Sequence, residues 1–309
     1  MTDLLTYDAL APKLDWPGAV EALRSGHHLP RAEIGDLFLG PADATLLTRA
    51  ARIEGLGCGV KSVTVMGGNA VRGLPTVQGA MMLMGPETGE LRAVIESRLV
   101  TEFKTAADSV LGASLLARPD SRRLLIVGAG VVARSLVSAY TAIFPELEHV
   151  EIWARRDEQA KALVDDLSVP GVELSVAGEL AEAAGRADIV AAATMAREPV
   201  LRGDWIAPGT HVDLIGAFKS DMREADDALI AKGTLFVDSR DTTLGHIGEL
   251  KIPLEAGVIS EADVRGDLYD LVPGTSQGRR GDDEITVYKN GGGAHLDLMI
   301  ADWIARSAG

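Results

Sequence analysis

The chain has 309 residues, 47% of them hydrophobic, a formal net charge of −15 and a single cysteine, Cys58. That length and apolar content suit two domains with packed cores. The acidic balance speaks against a nucleic-acid partner, and one cysteine excludes an intrachain disulfide or a cysteine-based zinc site and fits a reducing compartment. In chain order, residues 16–24 read as a helix, and residues 59–65 and 76–84 as strands. A Pro/Gly turn at 86–90 and a return strand at 91–96 complete a hairpin. Its Met81, Met82 and Met84 suit an interface or a core equally well. Residues 101–116 are helical in pattern, with Ala106, Ala107, Val110, Leu111 and Leu115 on one face.

A different logic begins at Leu124. An apolar run ends in Gly128-Ala129-Gly130-Val131-Val132-Ala133, a helical segment follows, and residues 149–153 form a second strand. This is the strand–turn–helix–strand signature of a dinucleotide site. Gly128 permits the tight turn, Gly130 admits a pyrophosphate, Ala133 keeps helix and strand close, and the helix N-terminus offers N–H donors. A site for NAD usually ends the second strand with a carboxylate for the ribose hydroxyls. Here Ala154 stands in that place, followed by Arg155 and Arg156, whose guanidinium groups suit a 2′-phosphate. NADP(H) is therefore favoured, with NAD(H) left open because Asp157 also stands within reach of a ribose.

Further strands are expected at 172–176, 188–193, 211–215 and 235–238, with helices at 179–185 and 225–231 between them. Such alternation predicts a parallel, doubly wound sheet. Residues 260–283 read as loop, 284–288 as a last strand, and 294–306 as an amphipathic helix with Leu296, Met299, Ile300, Trp303 and Ile304 on its apolar side. No apolar run approaches membrane-spanning length, and the start from Met1 to Leu5 lacks a basic, signal-like character. A cytoplasmic protein with no membrane partner is expected.

Three basic residues of the N-terminal half stand out: Arg31 after Pro30, Lys61 within an apolar strand, and Lys104 near a helix start. A lysine in an apolar run needs an anionic partner, such as a substrate carboxylate, or a stem that packs while its head reaches water. From the residues alone the second reading of Lys61 is favoured.

Over most of its length the chain resembles the ornithine cyclodeaminase/mu-crystallin family. The likeness rests on Gly59-Val60-Lys61, Gly73-Leu74-Pro75-Thr76, Thr88-Gly89-Glu90, the run from Leu99 to Ala107, Gly128-Ala129-Gly130, and the run from Pro208 to Val212. Arg223-Glu224-Ala225-Asp226 and the run from Thr286 to Gly291 extend it. The resemblance implies a Rossmann-type domain at 119–289 inserted into an α+β substrate and dimerisation domain at 1–118 plus 290–309, and hence a homodimer. It implies that Arg31 and Lys104 bind the substrate carboxylate, that Lys61 is the active-site lysine, and that Thr76 contacts substrate. It further implies that Thr105, Gly128, Gly130, Ala133, Lys289 and Asn290 contact the cofactor. No metal is implied.

Two departures shape the expected chemistry. The family's Arg-Thr-Ala-Ala is Lys104-Thr105-Ala106-Ala107 here, which keeps the charge but loses the bidentate fork. Phe218 stands where cyclodeaminases carry an aspartate, and a phenyl ring cannot exchange a proton. The leading expectation is therefore NAD(P)H-dependent reduction of an imino acid or cyclic ketimine to an amino acid. The proton would come from Lys61, a water, or an outside candidate such as His246 or Glu249. The alternatives are a cyclodeaminase-like lyase that recycles its NAD and a non-catalytic NADPH-dependent binder of small ligands.

Overall fold

The computed structural model describes residues 4–41 and 43–309. The expectation about the chain's start falls partly on residues 1–3, outside the described residues. The chain divides into two compact units, one of Met1–Lys104 with Gly293–Gly309 and one of Thr105–Gly292.

The first unit holds β1 (Leu4–Leu5), α1 (Tyr7–Leu10), α2 (Trp16–Gly26), β2 (Glu33–Leu39), β3 (Ala44–Ile53), β4 (Gly57–Met66), β5 (Val77–Met84) and β6 (Leu91–Glu96). The start of α3 (Ser97–Leu116) and the closing helix α11 (Ala294–Ala308) belong to it as well. The strands form one sheet in the order β1-β6-β5-β4-β3-β2, antiparallel except for the β1–β6 pair. The expected hairpin is β5–β6. Period-two alternation sorts the side chains: Gly59, Lys61 and Val63 of β4 and Met81 and Leu83 of β5 are on the buried face. Helix α11 packs on this sheet and against α2. Gly59 makes room for it, because a Cβ there would run into Met81 and Leu298. Met81 is therefore core, while Met82, pointing the other way, is exposed.

The second unit contains β7 (Arg123–Val127), α4 (Val131–Ile143), β8 (His149–Trp153), α5 (Asp157–Asp165), β9 (Glu173–Val176), α6 (Leu180–Arg186), β10 (Ile189–Ala192) and β11 (His211–Leu214). It continues with α7 (Asp227–Lys232), β12 (Thr234–Val237), α8 (Arg240–Thr243), α9 (Gly248–Glu255), β13 (Val264–Asp267), α10 (Leu268–Leu271) and β14 (Thr286–Lys289). All eight strands are parallel, in the order β13-β12-β14-β11-β10-β7-β8-β9. The order reverses between β7 and β10, which makes the carboxyl ends of these strands the ligand-binding edge of a doubly wound sheet.

Two expectations need correction. Residues 260–283 are not all loop: β13 and α10 lie there. The strand Val264-Arg265-Gly266-Asp267 is too short and polar to announce itself, and pairing with β12 defines it. The division expected at residue 118 falls earlier, because Thr105–Leu116 of α3 pack with the second unit. There the Tyr288 hydroxyl donates to Asp108 at 2.7 Å, and Gly112 leaves space for the Tyr288 ring. Among the described residues no helix is long and apolar enough to cross a membrane.

Candidate active site

In the first unit the pleat of β4 turns Lys61 onto the buried face, where it is only 5% exposed. Asp297 lies in the first turn of α11, where the helix dipole favours a carboxylate. Its Oδ1 accepts from Lys61 Nζ at 2.6 Å and lies 2.8 Å from Lys104 Nζ. Lys104 comes from α3 and is equally buried. Two ammonium groups on one carboxylate leave one net positive charge in a low-dielectric setting. In the same row of the sheet, Asp36, Arg49 and Lys61 are register neighbours, and Asp36 binds the Arg49 guanidinium at 2.8 Å.

This packing sets the protonation of the group. Burial pushes Lys104 down to about 7; Asp297 opposes the shift, while Lys61 and Arg49 add to it. Burial alone would push Asp297 up, but Lys104, Lys61 and Arg49 hold it at about 2. The reading of Lys61 as a lysine that reaches water is thus overturned: its head is internal and partnered by Asp297, a residue the sequence reading did not single out. Thr76 immediately precedes β5, is half-buried, and its carbonyl accepts from Met66 N at 2.8 Å. Arg31 is exposed in the segment between α2 and β2.

In the second unit Gly128 directly follows β7 with φ +128°, and a Cβ there would lie 2.6 Å from the Ala193 carbonyl oxygen. Only glycine fits that turn. Gly130 caps α4 with extended backbone and no side-chain cap, and an added Cβ would meet nothing within 4 Å. The first-turn N–H groups of Val131, Val132 and Ala133 have no intrahelical acceptor at this opening. Open space, free donors and the dipole match a pyrophosphate. Ala129 is half-buried and Val131 exposed beside it, while Ala133 is fully buried against the sheet. Ala154 is buried after β8, and Arg155 and Arg156 follow it, exposed.

Other residues are internal. Asn290 Nδ2 donates to the Thr105 carbonyl and to Ser109 Oγ, both at 3.0 Å, tying β14 to α3. Lys289, expected as a cofactor contact, is 1% exposed and donates to the Leu214 carbonyl at 2.7 Å. Its ammonium is an internal charge, facing Glu224 and Glu249. Burial raises both of these carboxyls, with Glu249's charge adding to the shift at Glu224 and Lys289 opposing both. Glu249 is fully buried and accepts from the backbone N–H groups of Glu224 and Ala225 at 2.7 and 2.9 Å. It is therefore no outside proton donor. His246 is exposed in the turn after α8, and Phe218, 54% exposed, has Lys219 Nζ 5.5 Å from its ring centre.

The glycine turn at the switch point of a parallel sheet and the buried cationic pair of the other unit define a dinucleotide-binding oxidoreductase. Residues 46–308 match the ornithine cyclodeaminase/mu-crystallin family, and the chain belongs to that family. It is 62% identical over 302 residues to the Delta(1)-pyrroline-2-carboxylate reductase of Paracoccus denitrificans, covering 98% of this chain and 96% of that one. The structure of the Thermococcus litoralis Delta(1)-pyrroline-2-carboxylate reductase in complex with NADH and L-proline superposes with a TM-score of 0.92. It is 30% identical, with 99% and 97% of the two chains covered. An archaeal alanine dehydrogenase dimer with bound NAD gives the same TM-score of 0.92 at 29% identity, covering 99% and 96%.

Proposed function

We propose that this chain reduces a cyclic ketimine or imino acid to the corresponding amino acid with a reduced nicotinamide dinucleotide, and that Delta(1)-pyrroline-2-carboxylate is the leading substrate. The observation that carries the reading is the Lys61–Asp297–Lys104 group. Its single net positive charge complements one substrate carboxylate, and desolvation strengthens that attraction. Arg31 and Thr76 complete the substrate contacts. When bound, the dinucleotide supplies the hydride. The protein holds the substrate carboxylate at Lys104 and keeps a proton at Lys61 Nζ for the substrate nitrogen. Thr105, the turn from Gly128 to Ala133, and Asn290 receive the dinucleotide, with Lys289 as the charge beneath it. Phe218 disfavours the lyase reading, since no carboxylate stands there to handle a second amine.

We assign Arg155 and Arg156 to a 2′-phosphate, which makes NADPH the preferred reductant. A spectrophotometric panel tests both points. Pyrroline- and piperideine-2-carboxylate, and pyruvate with ammonium or methylamine, are offered with NADPH and NADH. Turnover with net oxidation of reduced cofactor is expected, and the NADPH/NADH ratio should fall by about tenfold or more when both arginines become serine. No turnover with any imine would remove the reductase reading, and an unchanged ratio would remove the arginine assignment.

We further propose a cytoplasmic homodimer in which the first unit serves as the substrate and dimerisation domain. Leu37, Leu39, Leu46 and Met82 are exposed on the outer face of its sheet, and exposed apolar side chains grouped on one face suit a protein–protein contact. Sedimentation equilibrium should give twice the 32.5 kDa of one chain. Leu37→Asp with Leu46→Asp should shift the mass to that of one chain. A wild type that sediments as a monomer would refute the dimer.

A further inference from the structure

The loops after β10 and β11 lie at the carboxyl edge of the parallel sheet, on the side of the switch point that begins the second mononucleotide half. The adenosine half, with Arg155 and Arg156 after β8, lies on the other side. One buried side chain ties the two loops together. Glu224 Oε1 accepts from Thr194 N at 2.6 Å and from Thr194 Oγ1 at 2.7 Å. Its Oε2 accepts from Gly216 N at 2.6 Å and from Ala217 N at 3.3 Å. Gly216 cannot carry a side chain, because a Cβ would collide with the Thr194 backbone. Glu249 holds Glu224 from behind through its backbone N–H, and Lys289 supplies the nearby positive charge. A fully buried carboxylate with four donors and a second carboxylate behind it is a costly arrangement for a surface turn. A hydrophobic contact would join the loops at lower cost, but it would not orient their N–H groups.

We propose that Glu224 is a positioning residue for the nicotinamide end of the dinucleotide: its carboxylate fixes the Thr194 and Gly216–Ala217 backbone in the conformation that receives that end. The inference rests on the dinucleotide-dependent reading above. Glutamine at this position keeps the shape but turns an amide N–H₂ toward backbone N–H donors, so one loop must let go.

The test is a binding titration, not turnover. Wild type and Glu224→Gln are titrated with NADPH, NADH, ADP-ribose and 2′-phospho-ADP-ribose. Glu224→Gln should bind the intact dinucleotides about tenfold or more weakly and the nicotinamide-free ligands within about twofold of wild type. Glu224→Asp, which keeps the carboxyl acceptor, should recover part of the loss. Equal weakening toward both ligand sets would mark Glu224 as merely structural and overturn the proposal, as would no weakening at all. A wild type that binds neither dinucleotide would overturn the functional reading as well. Should Glu224→Gln fail to fold, Thr194→Val removes one of the four donors to Glu224, with the bond that Oγ1 accepts from Ala196 N at 3.3 Å, and should weaken the dinucleotides several-fold while sparing ADP-ribose; equal effects on the two would again overturn it.

Discussion

Replacing Lys61 by methionine should lower kcat/KM for the imino acid by about a thousandfold or more while leaving the dinucleotide Kd within about twofold. Methionine fills the space of the lysine stem, so the packing of β4 against α11 is kept. The charge is not. With Lys61 gone, Asp297 and Lys104 neutralise each other, and the group that presented one net positive charge presents none. The substrate carboxylate loses its electrostatic attraction, and the proton held on Lys61 is absent. Stability should change little, since Asp297 still has Lys104 at 2.8 Å. The dinucleotide contacts proposed here lie in the other unit, so their affinity serves as the control. A parallel collapse of dinucleotide affinity would show that Lys61 supports the fold rather than the reaction.

How far the sequence foretold this site depends on whether each signal is local. The Gly128 turn was legible because its cause lies within a few residues: a tight turn, a close backbone approach and a helix start share one short run. In the first unit β4, β5 and β6 were legible as apolar runs, two of them around a Gly/Pro break, whereas β1, β2 and β3 were not read. Lys61 was half legible. Alternation already grouped it with Gly59 and Val63 rather than with Val60 and Ser62, but whether that face met water or a helix depended on residues more than two hundred positions away. Asp297 was hidden for the same reason. In a helix read as amphipathic, an aspartate in the first turn looks like a dipole residue, and only burial on nearly all sides of α11 shows otherwise. Glu224 belonged to a motif with no visible role, because its four donors come from two loops that meet only in the folded sheet. Lys289 was named only through the family likeness; nothing local in the sequence says that β14 lies between β11 and β12, where its ammonium is held by the Leu214 carbonyl.

Converting Asp297 to asparagine should damage stability and activity by separable routes. Two buried ammonium groups would lose their shared counter-ion, and breaking a buried ion pair from one side costs about 3–5 kcal/mol. The melting transition at neutral pH should fall accordingly. The acid limb should change as well. Asp297 sits below its ordinary value in the folded state, so its contribution is present above about 3.8 and is lost as pH falls toward about 2. The asparagine variant should lack that loss. Activity reports Lys104. In the wild type kcat/KM should decline above pH about 7, as Lys104 of the enzyme without substrate gives up the charge that binds the substrate carboxylate. Asp297 raises Lys104 against burial, Lys61 and Arg49. Without it only the lowering influences remain, so the decline should begin at lower pH. Lys104→Arg, always charged, should abolish the decline in either background. Profiles of kcat/KM at constant ionic strength on the four proteins decide the matter. A limb that does not move in Asp297→Asn would mean that some other group carries the titration.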